Sequence, residues 1–414
     1  MQRAAWAVIA ILLVSILLVS CGGGSPTTPP TTSGILKRAF ISNQLTGAID
    51  IVNVAIDALA THRIIGDPAP TIMVLSPDKT KTLVFSSSTN RIDVISNKDE
   101  AQAGSLQLFD RSESFFYQPD NKTVYVAVRN VGQVVKWDTS AGTTLGVSVP
   151  NVRWIVRSNN GNIILAFPDD SSNEVYFIDT TATTPTAVKL STIAGAPTFD
   201  RPVWAVFSSD DTKAYIMNCG PECGSTSPNA SVQVINIPAM TSAGASAAVP
   251  GATHGLLNAN TLYVAGTPPA RACVGNTNEV NGCGTLSKID VASGLGTPAA
   301  PIEINNGYHD HMLLGPNNKL FVGAEFTCTV TLPNGNGCLS IVNVSANTAT
   351  ITPPCGTSCG GLNDVTGMTA IANRPVVYVV EGGEVHIYNT TTDTQQLNPI
   401  VDTIGRSWDV VSPD

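Results

Sequence analysis

The sequence predicts an all-β fold, a single β-propeller, for most of the chain. Beyond residue 35 the chain is rich in Val, Ile, Thr, Gly and Pro, and few stretches show the 3.6-residue apolar period of a helix. In addition, a unit made of an apolar strand, a turn and a second strand recurs at a spacing of roughly 40 to 55 residues. Repeats of this length that contain four strands build propeller blades.

Each repeat can be followed strand by strand. The first strand ends in a turn such as Ser76-Pro77-Asp78 or Ser208-Ser209-Asp210, and a second strand such as residues 82–85 follows it. A third strand, as in residues 91–95, and a more polar fourth strand complete the unit. Counting the first strands predicts eight blades, and seven is the alternative count.

The two ends of the domain predict how the ring closes. The final repeat contains only a first strand, residues 408–414, with no second strand after it. The domain begins at residues 37–41, with no first strand before them. We therefore expect the C-terminal strand to pair with the N-terminal strands in one blade, which removes the open edge.

The repeat resembles the YVTN-type propeller repeats and, through them, the lactonase-like propellers, over nearly all of the chain beyond the N-terminal segment. This resemblance implies the propeller fold and offers metal-dependent hydrolysis as one function. A propeller hosts both binding proteins and enzymes, so function depends on the site.

The N-terminus predicts export. Arg3 precedes an apolar run over residues 4–19, too short for a comfortable membrane span, and Leu18-Val19-Ser20-Cys21 resembles the bacterial lipobox. Residues 1–20 are therefore predicted to be a signal peptide, residues 21–35 a tether lipidated at Cys21, and residues 36–414 the propeller. An ordinary signal peptide with a chance cysteine is the alternative. In the lipoprotein family that this segment resembles, Asp after the cysteine is an inner-membrane retention signal. Gly22 stands at that position here, so the resemblance implies an outer-membrane or surface location in the cell envelope.

Charge excludes one class of partner. The formal net charge is −9, and no basic cluster that could bind nucleic acid is present in the sequence. The expected partners are the membrane, through the lipid on Cys21, and a protein, glycan or small molecule on one face of the propeller.

The remaining eight cysteines form four close pairs within loops rich in Gly, Pro and Asn, which predicts four local disulfides in an exported protein. Zinc ligation is the alternative. The pairs are Cys219 with Cys223, Cys273 with Cys283, Cys328 with Cys338, and Cys355 with Cys359. We define the top face as the one that carries the second-to-third and fourth-to-first strand connections, where all four pairs are expected on blades 5 to 7.

Alignment of the first strands places one residue per blade near the upper end of the central channel. This column is Ile72, Ser114, Trp154, Trp204, His254, His311, Met368 and Trp408. By strand alternation His309 should share a side with His311. The predicted ligand-binding funnel is Trp154, Trp204, His254, His309, His311 and Trp408. Packing between blades is the alternative role for each tryptophan, and a structural role is the alternative for each histidine.

Three functions fit this pattern. The first is a non-catalytic binding or scaffolding module that needs no cofactor and uses the top face. The second is a metal-dependent, lactonase-like hydrolase, with a divalent metal on His254, His309, His311 and Glu325. The third, a quinoprotein-like oxidoreductase, lacks the Trp-docking repeats of that family. The binding module is the leading prediction, and the sequence assigns no catalytic residue.

Overall fold

The computed structural model describes residues 32–244, 246–269, 283–325, 338–351, 364–396 and 401–414. Ser33–Asp414 forms one compact unit. The described residues hold 33 strands and three short 3-10 helices, at Leu190–Thr192, Gly220–Cys223 and Pro316–Asn318. None of the helices described is long and apolar enough to cross a membrane.

The strands of the first four blades, in chain order, are β1 (Arg38–Asn43), β2 (Ala48–Asn53), β3 (Ala58–Ile65), β4 (Pro70–Leu75), β5 (Lys81–Ser86), β6 (Arg91–Ser96), β7 (Ala101–Gln107), β8 (Phe115–Tyr117), β9 (Thr123–Val128), β10 (Gln133–Asp138), β11 (Thr144–Ser148), β12 (Trp154–Arg157), β13 (Ile163–Phe167), β14 (Tyr176–Asp179) and β15 (Ala187–Lys189).

The remaining strands are β16 (Pro202–Phe207), β17 (Lys213–Asn218), β18 (Ala230–Asn236), β19 (Thr241–Ser242), β20 (Ala247–Val249), β21 (His254–Asn258), β22 (Thr261–Gly266), β23 (Gly284–Asp290), β24 (Ile302–Ile304), β25 (Tyr308–Gly315), β26 (Lys319–Glu325), β27 (Leu339–Asn343), β28 (Thr348–Ile351), β29 (Val365–Ala370), β30 (Val376–Glu381), β31 (Glu384–Asn389), β32 (Thr394–Gln395) and β33 (Ser407–Val411).

These strands form eight antiparallel sheets, so the predicted count of eight blades is confirmed. Blade 1 has the order β33-β1-β2-β3 from the axis outward, and blades 2 to 8 follow in chain order from β4, β8, β12, β16, β21, β25 and β29. The predicted closure is also confirmed, because β33 pairs antiparallel with β1. In blade 5 both β19 and β20 pair with β18.

The core lies between the blades. The buried apolar side chains described form eight clusters, each shared by two consecutive blades around the ring. The second strands are covered on both faces, and every residue of β9 and β30 is buried. This double burial explains why these strands read as continuous apolar runs rather than as alternating ones.

The turns after the inner strands form the underside, opposite the top face. In blade 2 the Ser76 hydroxyl donates to Asp78 Oδ1 (2.7 Å) and accepts from the Lys81 amide (3.0 Å). The Ser158 and Ser208 turns repeat both contacts. Lys79 in this turn has a φ of 58°, and the equivalent Asp211 has a φ of 55°. In these three blades the small polar residues of the turn therefore stabilise the connection between the first and second strands.

Long connections separate the second and third strands of blades 5, 6 and 7, where three of the cysteine pairs were expected. They lie between β17 and β18, β22 and β23, and β26 and β27. Cys219 and Cys223 form a disulfide with a Cα–Cα distance of 5.6 Å, as predicted. Cys283 and Cys338 are buried and directly precede β23 and β27, the third strands of blades 6 and 7. Their predicted partners Cys273 and Cys328, the pair Cys355 and Cys359, and Cys21 lie outside the described residues, so these assignments stay predictions.

Candidate functional site

The upper mouth of the central channel opens into a cavity of about 740 Å³. All eight blades contribute to its lining through the upper ends of their inner strands. Seven of the eight residues in the predicted column line it: Ile72, Ser114, Trp154, Trp204, His254, His311 and Trp408. The eighth, Met368, packs against the apolar cluster between blades 7 and 8.

Five of the inner strands lose their regular register near the top. Pairing shifts at the upper ends of β4, β16, β25, β29 and β33, as in a β-bulge. A bulge breaks the alternation of side chains, so two consecutive residues can face the same side. The consecutive pairs that line the cavity in this way are Thr71-Ile72, Val203-Trp204, Asp310-His311 and Trp408-Asp409.

The bulge in β25 corrects the prediction for His309. His309 pairs with Ala324 and His311 with Gly323, which leaves Asp310 as the extra residue. Consequently Asp310 and His311 face the cavity, whereas His309 is buried outside its lining. The His309 Nε2 lies 2.9 Å from the Asn305 carbonyl oxygen. Strand alternation alone predicted the wrong neighbour of His311.

One side of the cavity, formed by blades 3 to 6, is aromatic. We call Phe115, Trp154, Trp204 and His254 the aromatic wall. The Trp154 and Trp204 rings meet edge to face at 6.2 Å, and the Trp204 and His254 rings are tilted against each other at 4.3 Å. Burial, together with His311 and His309, lowers the pKa of His254 to about 3, so this imidazole is neutral at physiological pH.

The opposite side, on blades 7 and 1, is acidic. We call Asp310, His311, Glu325 and Asp409 the acidic wall. His311 Nδ1 lies 2.7 Å from Asp310 Oδ1. Burial would lower the pKa of His311, but Asp310, Glu325 and Asp409 outweigh it and raise the value to about 9. His311 is therefore a cation at neutral pH.

The pKa values of two acids in this wall are raised by their surroundings. Burial and the Asp310 charge raise the pKa of Glu325 to about 8, although His311 opposes the shift. Burial raises the pKa of Asp409 to about 7, despite hydrogen bonds from the amides of Met73 and Val410, each 2.7 Å long. The single positive charge of His311 does not offset the cost of burying three negative charges, on Asp310, Glu325 and Asp409.

Arg153 lies at the mouth of the cavity, over the ring of Trp154. It donates to Glu113 Oε2 (2.7 Å) and to both Asp170 oxygens (2.8 and 2.7 Å). Its guanidinium carbon lies 5.1 Å from the Trp154 ring centre and 5.6 Å from that of Tyr308, on blade 7. Arg153 thus links blade 4 to blade 7, and two carboxylates already neutralise its charge.

The disulfide loop of blade 5 also carries a buried acid. Glu222, within the loop closed by Cys219 and Cys223, accepts a 2.7 Å hydrogen bond from the Thr267 amide of blade 6. Burial raises its pKa to about 8. The loop therefore contacts the next blade through this carboxyl group.

Several cavity residues were not found from the sequence: Thr366, Tyr308 and Asp409. Asp409 directly follows Trp408, and Asp310 directly precedes His311, so each adjoins a column residue. Only the bulges turn them toward the axis, and a bulge leaves no clear mark in the sequence. Glu325, in contrast, was a candidate ligand from the sequence, and it lines the cavity together with His311.

The predicted metal ligands are only partly assembled. Among the residues described, Asp310, His311 and Glu325 each offer a ligand atom, and these atoms lie within 4.8 Å of one another. His309 is excluded by its orientation, and His254 stacks on Trp204 rather than joining the group. The set contains one imidazole and two carboxylates, which suit divalent cations such as zinc or manganese.

Comparison with known proteins shows the fold but no family. No protein-family model and no curated protein matches this chain. The solved structure of dihydro-heme d1 dehydrogenase NirN in complex with DHE is similar over 93% of this chain and 77% of its own, with a TM-score of 0.66 and 9% identity.

Two further structures are similar at the level of fold. Hydrazine synthase of Kuenenia stuttgartiensis matches 78% of this chain and 96% of its own, with a TM-score of 0.54 and 13% identity. The Swd1 propeller domain of Myceliophteria thermophila matches 77% and 96%, with a TM-score of 0.53 and 10% identity. The protein is thus a β-propeller whose structural neighbours have varied functions.

Proposed function

We propose that this protein is a binding module that holds a small ligand in the cavity at the top of its central channel. The observation that carries this proposal is the cavity itself. At about 740 Å³ it falls in the range of ligand pockets, and apolar rings with a few polar groups line it.

The scaffold supports this role. Most of the lining residues lie on inner strands, and the second strands beside them are buried on both faces, so rigid elements hold much of the cavity. NirN, a structure similar in fold, was solved in complex with the ligand DHE. That finding belongs to NirN, and for this chain it supports only that a propeller of this kind is compatible with ligand binding.

Tryptophan fluorescence tests the proposal directly. Three of the four tryptophans beyond the signal segment line the cavity, and the fourth, Trp137, is buried in blade 3. In a Trp137→Phe variant all emission arises from the cavity. We expect members of a metabolite library to change this emission saturably and to raise the melting temperature. A Trp204→Phe variant should weaken the response. If no compound changes the emission or the melting temperature, the proposal is wrong.

We further propose that Cys21 anchors the module in the cell envelope. The lipobox-like Leu18-Val19-Ser20-Cys21 after an apolar run supports this localisation. Expression with a labelled fatty acid should label the wild type and leave Cys21→Ala unlabelled and unanchored. A wild-type protein that takes up no label, or partitions as the variant does, would contradict the anchor.

A metal-dependent hydrolase is the second candidate, and the cluster of Asp310, His311 and Glu325 favours it. A bound divalent cation would supply a Lewis acid and an activated water there. In this structure His311 instead contacts Asp310, and metal binding requires the imidazole to lose its proton.

Elemental analysis separates the two functions. A hydrolase should carry near-stoichiometric zinc, manganese or iron, and Glu325→Gln should lose it. Glu384→Gln, an identical change at an exposed acid on β31, is the matched control. A wild type that remains metal-free after reconstitution would rule out the hydrolase and leave the binding module.

A further inference from the structure

We propose that the ligand of this cavity is a protonated amine with an apolar body. Its ammonium group lies between Glu325, Asp409 and the Thr366 hydroxyl, and its body lies against the aromatic wall. This inference rests on the proposed function and names the class of ligand that the same cavity takes.

The first argument is the distribution of charge around the cavity. The positive charge of Arg153 is engaged by Glu113 and Asp170, and that of His311 by Asp310. Glu325 and Asp409 remain on the acidic wall without a dedicated cationic partner among the residues described. A cation that enters the cavity would supply that partner.

The second argument is an orphaned hydroxyl. Thr366 lies on β29 of blade 8, between Glu325 of blade 7 and Asp409 of blade 1. Its side chain lines the cavity and is 9% exposed, and its Oγ1 has no hydrogen-bond partner among the residues described. A buried hydroxyl without a partner costs stability. A ligand N–H donor directed at this oxygen satisfies it.

Together these groups specify the head of the ligand. A bound ammonium favours the ionised form of both carboxyl groups, so two carboxylates and a hydroxyl oxygen accept hydrogen bonds, and an ammonium with N–H donors offers up to three. A quaternary ammonium carries the same charge but cannot donate. The site therefore favours a primary amine over its trimethylated analogue.

The aromatic wall specifies the body. Trp204 and His254 present stacked rings, and Trp154 closes the wall edge to face. Trp408, on the same strand as Asp409, adds a further ring beside the acidic wall. Indole faces bind apolar groups, and they also attract a nearby ammonium. The cavity volume leaves room for a body larger than a bare cation.

Four matched probes test the inference by calorimetry: 2-phenylethylammonium, its trimethylammonium analogue, the neutral 2-phenylethanol and the anionic phenylacetate. We expect the primary ammonium to bind about tenfold more tightly than the alcohol, and its affinity to fall with added salt. The quaternary analogue should lie between them. If the alcohol or the anion binds as well as the ammonium, the inference is wrong while the binding function stands.

Variants of the acceptors locate the ammonium. Glu325→Gln and Asp409→Asn should each weaken the primary ammonium about tenfold and leave the alcohol unchanged. Thr366→Val should reduce the preference for the primary over the quaternary ammonium. Glu384→Gln and Thr348→Val, both exposed on outer strands, are the matched controls. Unchanged affinities in all three cavity variants, or no binding by any of the four probes, would overturn the inference. The library test then decides the binding function separately.

Discussion

The pKa values of carboxyl groups shift in opposite directions on the two faces of the propeller. On the underside, every described carboxyl group with a shifted pKa has a lowered one: Asp57, Asp78, Glu100, Asp120, Asp138, Asp179 and Asp210. In the upper half every shifted carboxyl group has a raised pKa: Asp93, Glu222, Glu325, Glu381 and Asp409.

The causes are physical and differ between the faces. In the underside turns, hydroxyl and amide donors stabilise the carboxylate, as Ser76 does for Asp78. Burial raises the pKa of Asp57, but hydrogen bonds from Arg374, Tyr378 and Gln396 outweigh it. At the top, burial dominates each shift and the donors are too few. The underside acids therefore stabilise the fold, and the upper acids cost stability at neutral pH. Such a cost is typical of binding sites.

The largest expected effect is on the underside. Arg374 donates to Asp57 through both terminal nitrogens, and Tyr378 also donates to it, so this acid joins blade 1 to blade 8. Asp57→Ala leaves the arginine without its partner and should lower the free energy of unfolding by about 3 kcal/mol. Urea unfolding measures this loss, and ligand affinity should not change. A urea midpoint equal to that of the wild type would show that this underside acid does not stabilise the fold, contrary to the difference argued between the two faces.

The pH dependence of wild-type stability is the second prediction. Folded Asp409, Glu222 and Glu325 keep protons up to about pH 7 or 8, whereas the unfolded carboxyl groups lose them near pH 4. His311 has a folded pKa of about 9, so its contribution is complete below its ordinary pKa of 6.5 and is lost as pH rises through 9. The folded state therefore binds more protons above pH 6.5, and stability must fall there.

Below pH 6.5 an opposite contribution appears. Burial lowers the pKa of His309 and His386 to about 4, so unfolding takes up protons on these residues as it does on His254. This uptake offsets the carboxyl groups. With Glu381, whose pKa burial also raises to about 7, the carboxyl groups outweigh the histidines above about pH 5. We expect urea unfolding to give a maximum at about pH 5 and a loss of several kcal/mol between pH 6.5 and pH 9. A flat profile between pH 6.5 and 9 would show that the upper acids carry no such cost.

The same contrast explains what the sequence predicted and what it did not. The underside turns and buried second strands repeat, so their patterns predicted eight blades and the pairing of β33 with β1. The column from Ile72 to Trp408 located the channel because each member stands at a fixed distance from a turn. The upper strand ends do not repeat. Because of the bulges there, Asp310 lines the cavity in place of the predicted His309, and Asp409 lines it as well. These residues depend on tertiary packing rather than on local pattern.

Neutralising one upper acid should recover part of the pH-dependent loss. Glu325 is faced by Asp310, His311, Asp364 and Glu113, and its ionised form is costly in that setting. Glu325→Gln should therefore gain about 1 kcal/mol over the wild type at pH 9 and little at pH 5, where the wild-type side chain is protonated. Urea unfolding at both pH values measures the difference. A variant that is destabilised at pH 9 would mean that Glu325 supports the fold through its contact with His311.

The smallest expected effects come from one substitution made on both faces. Ser76→Ala on the underside removes the acceptor of the Lys81 amide and the donor to Asp78, and it should cost about 1 kcal/mol with no change in ligand affinity. Ser114→Ala at the top removes the acceptor of the Ile155 amide at a similar cost, but its side chain lines the cavity and affinity should change. Unfolding and calorimetry on the same two proteins compare the faces directly. Because each variant loses an acceptor of one backbone amide, a change in affinity confined to Ser114→Ala assigns binding to the upper face, and an equal change in both would assign it to overall stability.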